Sequence, residues 1–371
     1  MNRARKNIES AVDSAGERGG ETFQPMVKSL VVRNKRTGDM VGIKDVAVRA
    51  GVSIATVSNV VNRPHLVSAE TRDRVQAVIR TLGYVRDESA RQLRAGRSRT
   101  LALLVLDLGN PFFVDVARGA EEAAHAATLN MITCNSGHRA DREASYLAML
   151  AEQRVRGVLV SPVGTAAEGL ALFRRSKIPY VLVDRRSPDG DCCSVSVDDV
   201  AGGALAARHL VEAGHRRIAF VNGPDVLVQC REREQGFRSA IGDAEVSLIE
   251  VAALNAGSGR DAGARILGFS PRPTAVFCAN DLLALGVLQA MVSAGVRVPE
   301  DVAIVGYDDI EFASAAAVPL TSVRQPAARI GQKAAELLID ETSGEGADHE
   351  HQSVVYKPEL VVRASTLQRR G

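Results

Sequence analysis

From Leu101 onward, short apolar runs alternate with segments of helical periodicity, and this alternation restricts the fold more than any other feature of the chain. The runs are LALLVLD, MITCN, GVLVS, YVLVD, SVSVD, RIAFVNG, TAVFCAN and VAIVGYD, rich in β-branched residues and separated by helical patterns. Strands joined through helices run parallel, so the expected body is α/β, built of doubly wound parallel sheets with helices on both faces. Polar residues stand at or just past the carboxyl ends of these runs: Asp107, Asn135, Ser161, Asp184, Asn222, Asn280 and Asp308. Open α/β sheets bind ligands at that end. Any one of these residues is an ordinary helix cap, but the series in register points to a pocket lined by hydroxyl-binding groups.

Ahead of this body lies a small, separate pattern. Val46, Ala47 and Ala50 repeat at helical spacing, and Gly51 supplies the left-handed conformation of a tight turn. Ser53 can cap a second helix whose Val57, Val60 and Val61 face a core, leaving Ile54, Ala55, Ser58, Asn59 and Asn62 outward. These outward side chains are short, so the helix could lie deep in a DNA major groove. Ser68 begins a third helix, with Val75, Val78, Ile79 and Leu82 inward and Gly83 at its end. Next, Asp87 can cap a helix of roughly two turns, too short to be stable alone in water. Its Leu93 is flanked by Arg91, Arg94, Arg97 and Arg99, an apolar wedge among arginines of the kind that enters a minor groove. Taken singly, the hairpin reads equally as a generic helical pair and the arginine segment as a basic linker.

Charge follows the same division. The first 100 residues hold 19 Lys and Arg against 10 Asp and Glu, and the remainder 27 against 34, so a bland net charge of +2 conceals a basic head on an acidic body. Basic heads suit phosphate contacts. At 371 residues and 46% hydrophobic, the chain can bury more than one core. Neither a membrane-spanning run nor a secretory signal is present, so a cytoplasmic protein is expected. Cys134, Cys192, Cys193, Cys230 and Cys278 form no C-x-x-C pair or Cys/His ligand spacing, so reduced thiols, no metal and no cofactor are expected. The H-E-H at His349, Glu350 and His351 reads as a polar loop able to hold a metal only weakly. No Walker loop, G-x-G-x-x-G, G-x-S-x-G or zinc-enzyme spacing suggests an enzyme.

The segments IKDVAVRAGVSIATVSNVVNRP, LVSAETRDRV, SARQLRAGRSRTLALLV, NPFF, VLVDRR, HLVEAGHRRIAFVNGP, PTAVFCANDLLALG, RVPEDVAIVGYDD and PLTSVRQP closely resemble, in order, the lactose-repressor and galactose-repressor family of bacterial transcription regulators. The likeness runs from Ile43 to about Thr366. It implies a helix-turn-helix head over 41–86, a hinge helix over 87–98 and an effector-binding, dimerising body over 99–366, like the periplasmic sugar-binding proteins. The amino-terminal lobe would take about 99–198 and 326–353, and the other lobe about 199–325 and 354–366, before a short tail over 367–371. Residues 1–40 read as a disordered extension, and Met40 stands where heads of the family begin, so an upstream mis-start is one reading of it.

The resemblance also implies roles. Ile54, Ala55 and Asn59 would meet base edges; Ser53, Thr56 and Ser58 would meet phosphates or neighbouring backbone; Leu93, beside Arg94, would kink a central C-G step of a palindromic operator from each half of a homodimer. Arg86 and Asp87 depart from the family's usual proline and asparagine. In the body, Phe112 and Phe113 would stack on a ligand ring, and Asp184, Arg233, Asn280, Asp308 and Gln325 match ligand positions. Arg185 and Leu254 replace aromatic residues of some relatives, which argues mildly against a flat nucleobase. A buried Arg233 would need Asp308, Asp184 or a charged effector as partner. The expected protein is a repressor whose operator affinity is set by a small sugar-like effector, as inducer or corepressor. The alternatives are a global regulator controlled by a protein partner, and a cytoplasmic sugar-binding or sugar-modifying protein.

Overall fold

The computed structural model describes residues 41–85, 98–164, 167–343 and 349–367. The chain divides between residues 88 and 89 into two compact units. The extension over 1–40 and the hinge segment with Leu93 and Arg94 lie outside the described residues.

The first unit holds α1 (Ile43–Ala50), α2 (Ile54–Asn62), a short 3-10 turn (Pro64–Leu66) and α3 (Ala69–Leu82). Gly51 and Gly83 end α1 and α3 in the left-handed conformation, at φ 64° each. Ser53 and Ser68 accept hydrogen bonds from Thr56 N and Thr71 N, capping the two later helices. Val46, Val57 and Val75, one from each helix, are fully buried and meet in the centre with Ala47, Ala50 and Val60. Val61, expected in this core beside Val57 and Val60, is only half-buried. A core of this size is near the lower limit for a domain that folds alone.

The second unit is two lobes, each a six-stranded sheet. The first lobe carries β1 (Thr100–Val105), α4 (Pro111–Ala126), β2 (Asn130–Asn135), α5 (Ala140–Glu152), β3 (Gly157–Val160), α6 (Ala167–Ser176), β4 (Tyr180–Val183) and β5 (Cys193–Val197). The chain then crosses to α7 (Asp199–Glu212), β6 (Arg217–Asn222), α8 (Val228–Ala240), β7 (Glu245–Glu250), α9 (Ala256–Leu267), β8 (Ala275–Cys278), α10 (Asp281–Ser293), β9 (Ala303–Asp308), α11 (Glu311–Ala315) and β10 (Thr321–Arg324). It returns as α12 (Ala327–Ser343) and β11 (Ser353–Tyr356), and crosses a last time to β12 (Glu359–Val361). The sheet orders are β11-β5-β4-β3-β1-β2 and β12-β10-β9-β8-β6-β7. All pairings are parallel except β12 on β10.

β1 shows why its sequence is apolar throughout. Leu101, Leu103 and Val105 pack against α4 and α12, whereas Ala102 and Leu104 pack on the opposite face against Leu147 of α5 and Phe173 of α6. Both faces are covered, as parallel sheets require. In the second lobe Phe220, Phe237 and Phe277 form the centre, with ring centroids 4.7–5.2 Å apart. β7, β10, β11 and β12 were not foreseen. Because β11 pairs with β5 through Tyr356, the third crossing comes after Tyr356, slightly beyond the expected 353.

Candidate functional site

In the head, α2 presents Ile54 and Ala55 to solvent, with Ile54 45% exposed, while Thr56, Ser58 and Asn59 are half-buried. The Ser53 and Thr56 hydroxyls lie 2.9 Å apart, tying the first turn. Asn62 is exposed, and its Nδ2 donates to Ser58 O at 2.8 Å and Ser58 Oγ at 3.1 Å, one turn back on the same helix. Leu93 and Arg94 cannot be placed, as they lie outside the described residues.

In the body, a narrow, largely closed cleft with a cavity volume of about 30 Å³ lies between the carboxyl ends of the two sheets. Leu106, Asp107, Asn110, Phe112, Phe113, His138 and Asp184 line it from the first lobe, and Leu227, Gln229, Arg233, Leu254, Asn280 and Asp308 from the second. The two phenyl rings meet edge to face, centroids 5.0 Å apart. Leu227, Cys230 and Leu254 of the second lobe join the apolar cluster of the first, so part of the cleft floor is shared core.

Two aspartates face each other from equivalent places. Asp184 follows β4 and Asp308 ends β9, and both have left-handed backbones, φ 58° and 101°, which non-glycine residues adopt at a cost of about 1–3 kcal/mol. The turn aims each carboxylate across the cleft. Asp184 Oδ2 accepts from Gln229 Nε2 at 2.7 Å, whereas buried Oδ1 has no partner among the described residues. Asp308 accepts from Gln325 Nε2 at 2.7 Å and from Asn110 Nδ2 at 3.0 Å. Asn110 uses its Oδ1 to accept from Phe112 N at 3.1 Å, capping α4, so a single side chain starts the helix that carries the phenylalanines and bridges to the other lobe.

Arg233 is buried at 4% exposure, and its main partner is not one of those expected. Its Nε donates to Asp199 Oδ1 at 2.7 Å and its Nη1 to Ala279 O at 2.6 Å, while Asp308 is 3.9 Å away. The guanidinium also lies over Tyr307, 3.8 Å from the ring centroid. Asp199 begins α7 and Arg233 sits on α8; these helices touch through Gly203 and Gly236, where a Cβ would collide with the facing backbone of Arg233 and Val200. That close approach sets the ion pair. Burial works against the Arg233 charge, but the Asp199, Tyr307, Asp308 and Asp184 groups outweigh it and hold its proton firmly. Burial pushes Asp184 up to about 8, helped by the Asp199 charge and opposed by Arg233. Burial likewise raises Asp308, against Arg233 and its two amide donors.

Other expected cleft residues have different work. Asn135 Oδ1 accepts from Gly137 N at 3.1 Å, and Arg185 donates to Gly164 O; neither lines the cleft. Asn222 donates to Cys230 O and Glu234, and Ser161 is buried away from the cleft lining. Gln325 orients Asp308 from behind. Asn280 lines the cleft but caps α10, accepting from Leu283 N at 2.9 Å, and donates to Leu254 O at 3.1 Å. Asn110, His138, Asp199 and Gln229 were missed, since nothing in their local sequence distinguishes them from caps and surface positions.

Residues 42–87 match the model of bacterial regulatory proteins of the lacI family, and 207–366 that of the periplasmic binding protein-like domain. The HTH-type transcriptional repressor PurR of Aliivibrio fischeri (strain MJ11) is 37% identical over 338 residues, covering 89% of this chain and 99% of the relative. This chain belongs to the lacI family. Among solved structures of the family, the lac repressor dimer bound to operator and the anti-inducer ONPF superposes with a TM-score of 0.76 at 28% identity, covering 89% of this chain and 100% of the other. The transcriptional regulator CelR in complex with cellobiose superposes at 0.64 with 34% identity, over 88% of this chain and 99% of the other. The chain is therefore a ligand-controlled DNA-binding transcriptional repressor of this family and not an enzyme. No helix among the described residues is long and apolar enough to cross a membrane.

Proposed function

We propose that this repressor is controlled by a small polyhydroxylated effector of the sugar class held between Asp184 and Asp308. The carrying observation is the pairing of two inward carboxyls with an edge-to-face phenylalanine pair. Carboxyls and amides hydrogen-bond directionally to hydroxyls, and an aromatic face covers the apolar side of a sugar ring. The cellobiose in a related regulator supports the same ligand class. Closure on the effector would shift the lobes and, through the segment that contains Leu93 and Arg94, change operator affinity. On the same reading the protein acts in the cytoplasm as a homodimer on a palindromic operator with a central C-G step, because one short reading helix covers too few base pairs alone.

The test is calorimetric titration of the full chain with pentoses, hexoses, disaccharides and their phosphates. One compound should bind once per chain, and Asp184→Asn should weaken it about tenfold or more, the worth of a hydrogen bond to a buried group. If no member of the panel binds, or if the compound that binds is indifferent to both Asp184→Asn and Phe112→Ala, the sugar reading is wrong.

A further inference from the structure

Far along the sequence from one another, Cys193, Glu341, His349 and His351 each bring one ligand atom to a common point, all within 4.8 Å of one another. Cys193 opens β5 and is fully buried; Glu341 lies in the last turn of α12; the two histidines stand in the polar segment before β11. Cys193 Sγ is 3.1 Å from His349 Nε2 and 3.9 Å from His351 Nδ1, and Glu341 Oε2 is 3.9 Å from His349 Nε2. A tetrahedral zinc ion with ordinary Zn–S, Zn–N and Zn–O bonds has ligand-to-ligand edges of about 3.3–3.6 Å. These separations bracket that range, so closing on an ion needs side-chain movement on the order of 1 Å.

We propose that these four residues form a zinc site in the first lobe, remote from the effector cleft. Three further observations point to a ligand. Glu341 Oε2 is buried with no hydrogen-bond partner among the described residues, an orphan that a cation would satisfy. His349 Nδ1 lies 3.2 Å from Asp340 Oδ2, and a proton held there leaves the Nε2 lone pair facing Cys193, the carboxylate-histidine arrangement usual behind metal ligands. Gln352 N donates to Cys193 Sγ at 3.3 Å, which fixes the position of the sulfur. One thiolate and one carboxylate neutralise a divalent ion, and the mixed sulfur, nitrogen and oxygen set selects zinc or cobalt over calcium or magnesium. On binding, the thiol proton passes to solvent. A surface groove past Ile178 and Tyr180 reaches Glu341 and His351 and offers a way in. The H-E-H segment, read from sequence as a loop of weak metal affinity, gains its strength from two residues that its own spacing could not reveal. The ion would clamp the segment entering β11 to β5 and α12, at the end of β11 opposite the third crossing between the lobes.

The experiment is titration of untagged, chelator-stripped full-length protein with cobalt(II), followed by competition with zinc(II). The expected result is one ion per chain, with a thiolate-to-cobalt charge-transfer band and the intense visible bands of tetrahedral coordination. Cys193→Ser should abolish the charge-transfer band. Because Cys193 is buried and its variant could fold poorly, the exposed His351→Ala is the second test and should weaken zinc by about 100-fold, with Asp340→Asn weakening it about 10-fold. The exposed His125→Ala should change nothing. A cobalt spectrum without the thiolate band, or binding untouched by His351→Ala, would overturn the site.

Discussion

Asn110 Nδ2 donates to Asp308 Oδ2 at 3.0 Å, joining the start of α4 in one lobe to the end of β9 in the other. Gln229 to Asp184 is its counterpart in the opposite sense, at 2.7 Å, so each lobe sends one amide to the other lobe's carboxyl. These two bonds bridge the lobes beside the apolar floor that they share. Asn110→Asp keeps an oxygen to cap α4 but sets a carboxylate against Asp308. It should favour the open form by roughly 1–3 kcal/mol, seen as an increased radius of gyration in solution scattering and a correspondingly weaker effector. Unchanged scattering would show that the bridge does not set closure.

Arg233 and Asp199 are both almost fully buried, 5% and 4% exposed by side chain. Removing one partner strands the other charge, so Asp199→Ala should lower unfolding free energy by about 3–5 kcal/mol. The double replacement Asp199→Leu with Arg233→Met should cost much less than the two single changes together. Denaturant unfolding of the four proteins checks this, and simple additivity would contradict it.

Asp184 gives a pH signature with a definite sign. Its carboxyl ordinarily titrates near 3.8 and is pushed up to about 8 in the folded chain by burial. Between those values the folded form holds a proton that the unfolded form has lost, so the Asp184 contribution to stability falls as pH rises from about 4 to 8. Asp184→Asn should flatten the decline of unfolding free energy over that window. Parallel profiles for the parent and the variant would mean that the carboxyl titrates normally.

In the head, Asn59→Ala should relax base preference at one operator position by about 1–3 kcal/mol. Ser53→Ala should instead cost about 1 kcal/mol of head stability through the lost cap. Fluorescence anisotropy on single-base operator variants, beside thermal melts, separates the two effects.

The doubly wound body was legible because fully covered strands such as β1, β3, β4 and β9 must be apolar on both faces. The unforeseen strands fail that condition in two ways. β7, β11 and β12 have exposed or half-buried faces, so their runs are mixed. β10 is buried but polar: Thr321 N donates to Ser365 Oγ at 2.8 Å and Ser322 Oγ to Asp281 Oδ1 at 2.7 Å, which satisfies groups that otherwise mark a loop. In the cleft, Asp107, Phe112, Phe113, Asp184, Asn280 and Asp308 were visible from strand ends and resemblance. The Arg233 partner was not, because Asp199 has the appearance of an ordinary helix start until the glycine contacts of α7 and α8 bring it within reach.

Ligand-controlled operator binding is tested most directly by selecting DNA from a randomised duplex library with the full chain, with and without a panel of pentoses, hexoses, disaccharides and their phosphates. The predicted result is enrichment of one two-fold-symmetric sequence, with its enrichment altered by a single compound. The contradicting result is no enrichment under any condition, or an enriched sequence indifferent to every compound that binds the cleft.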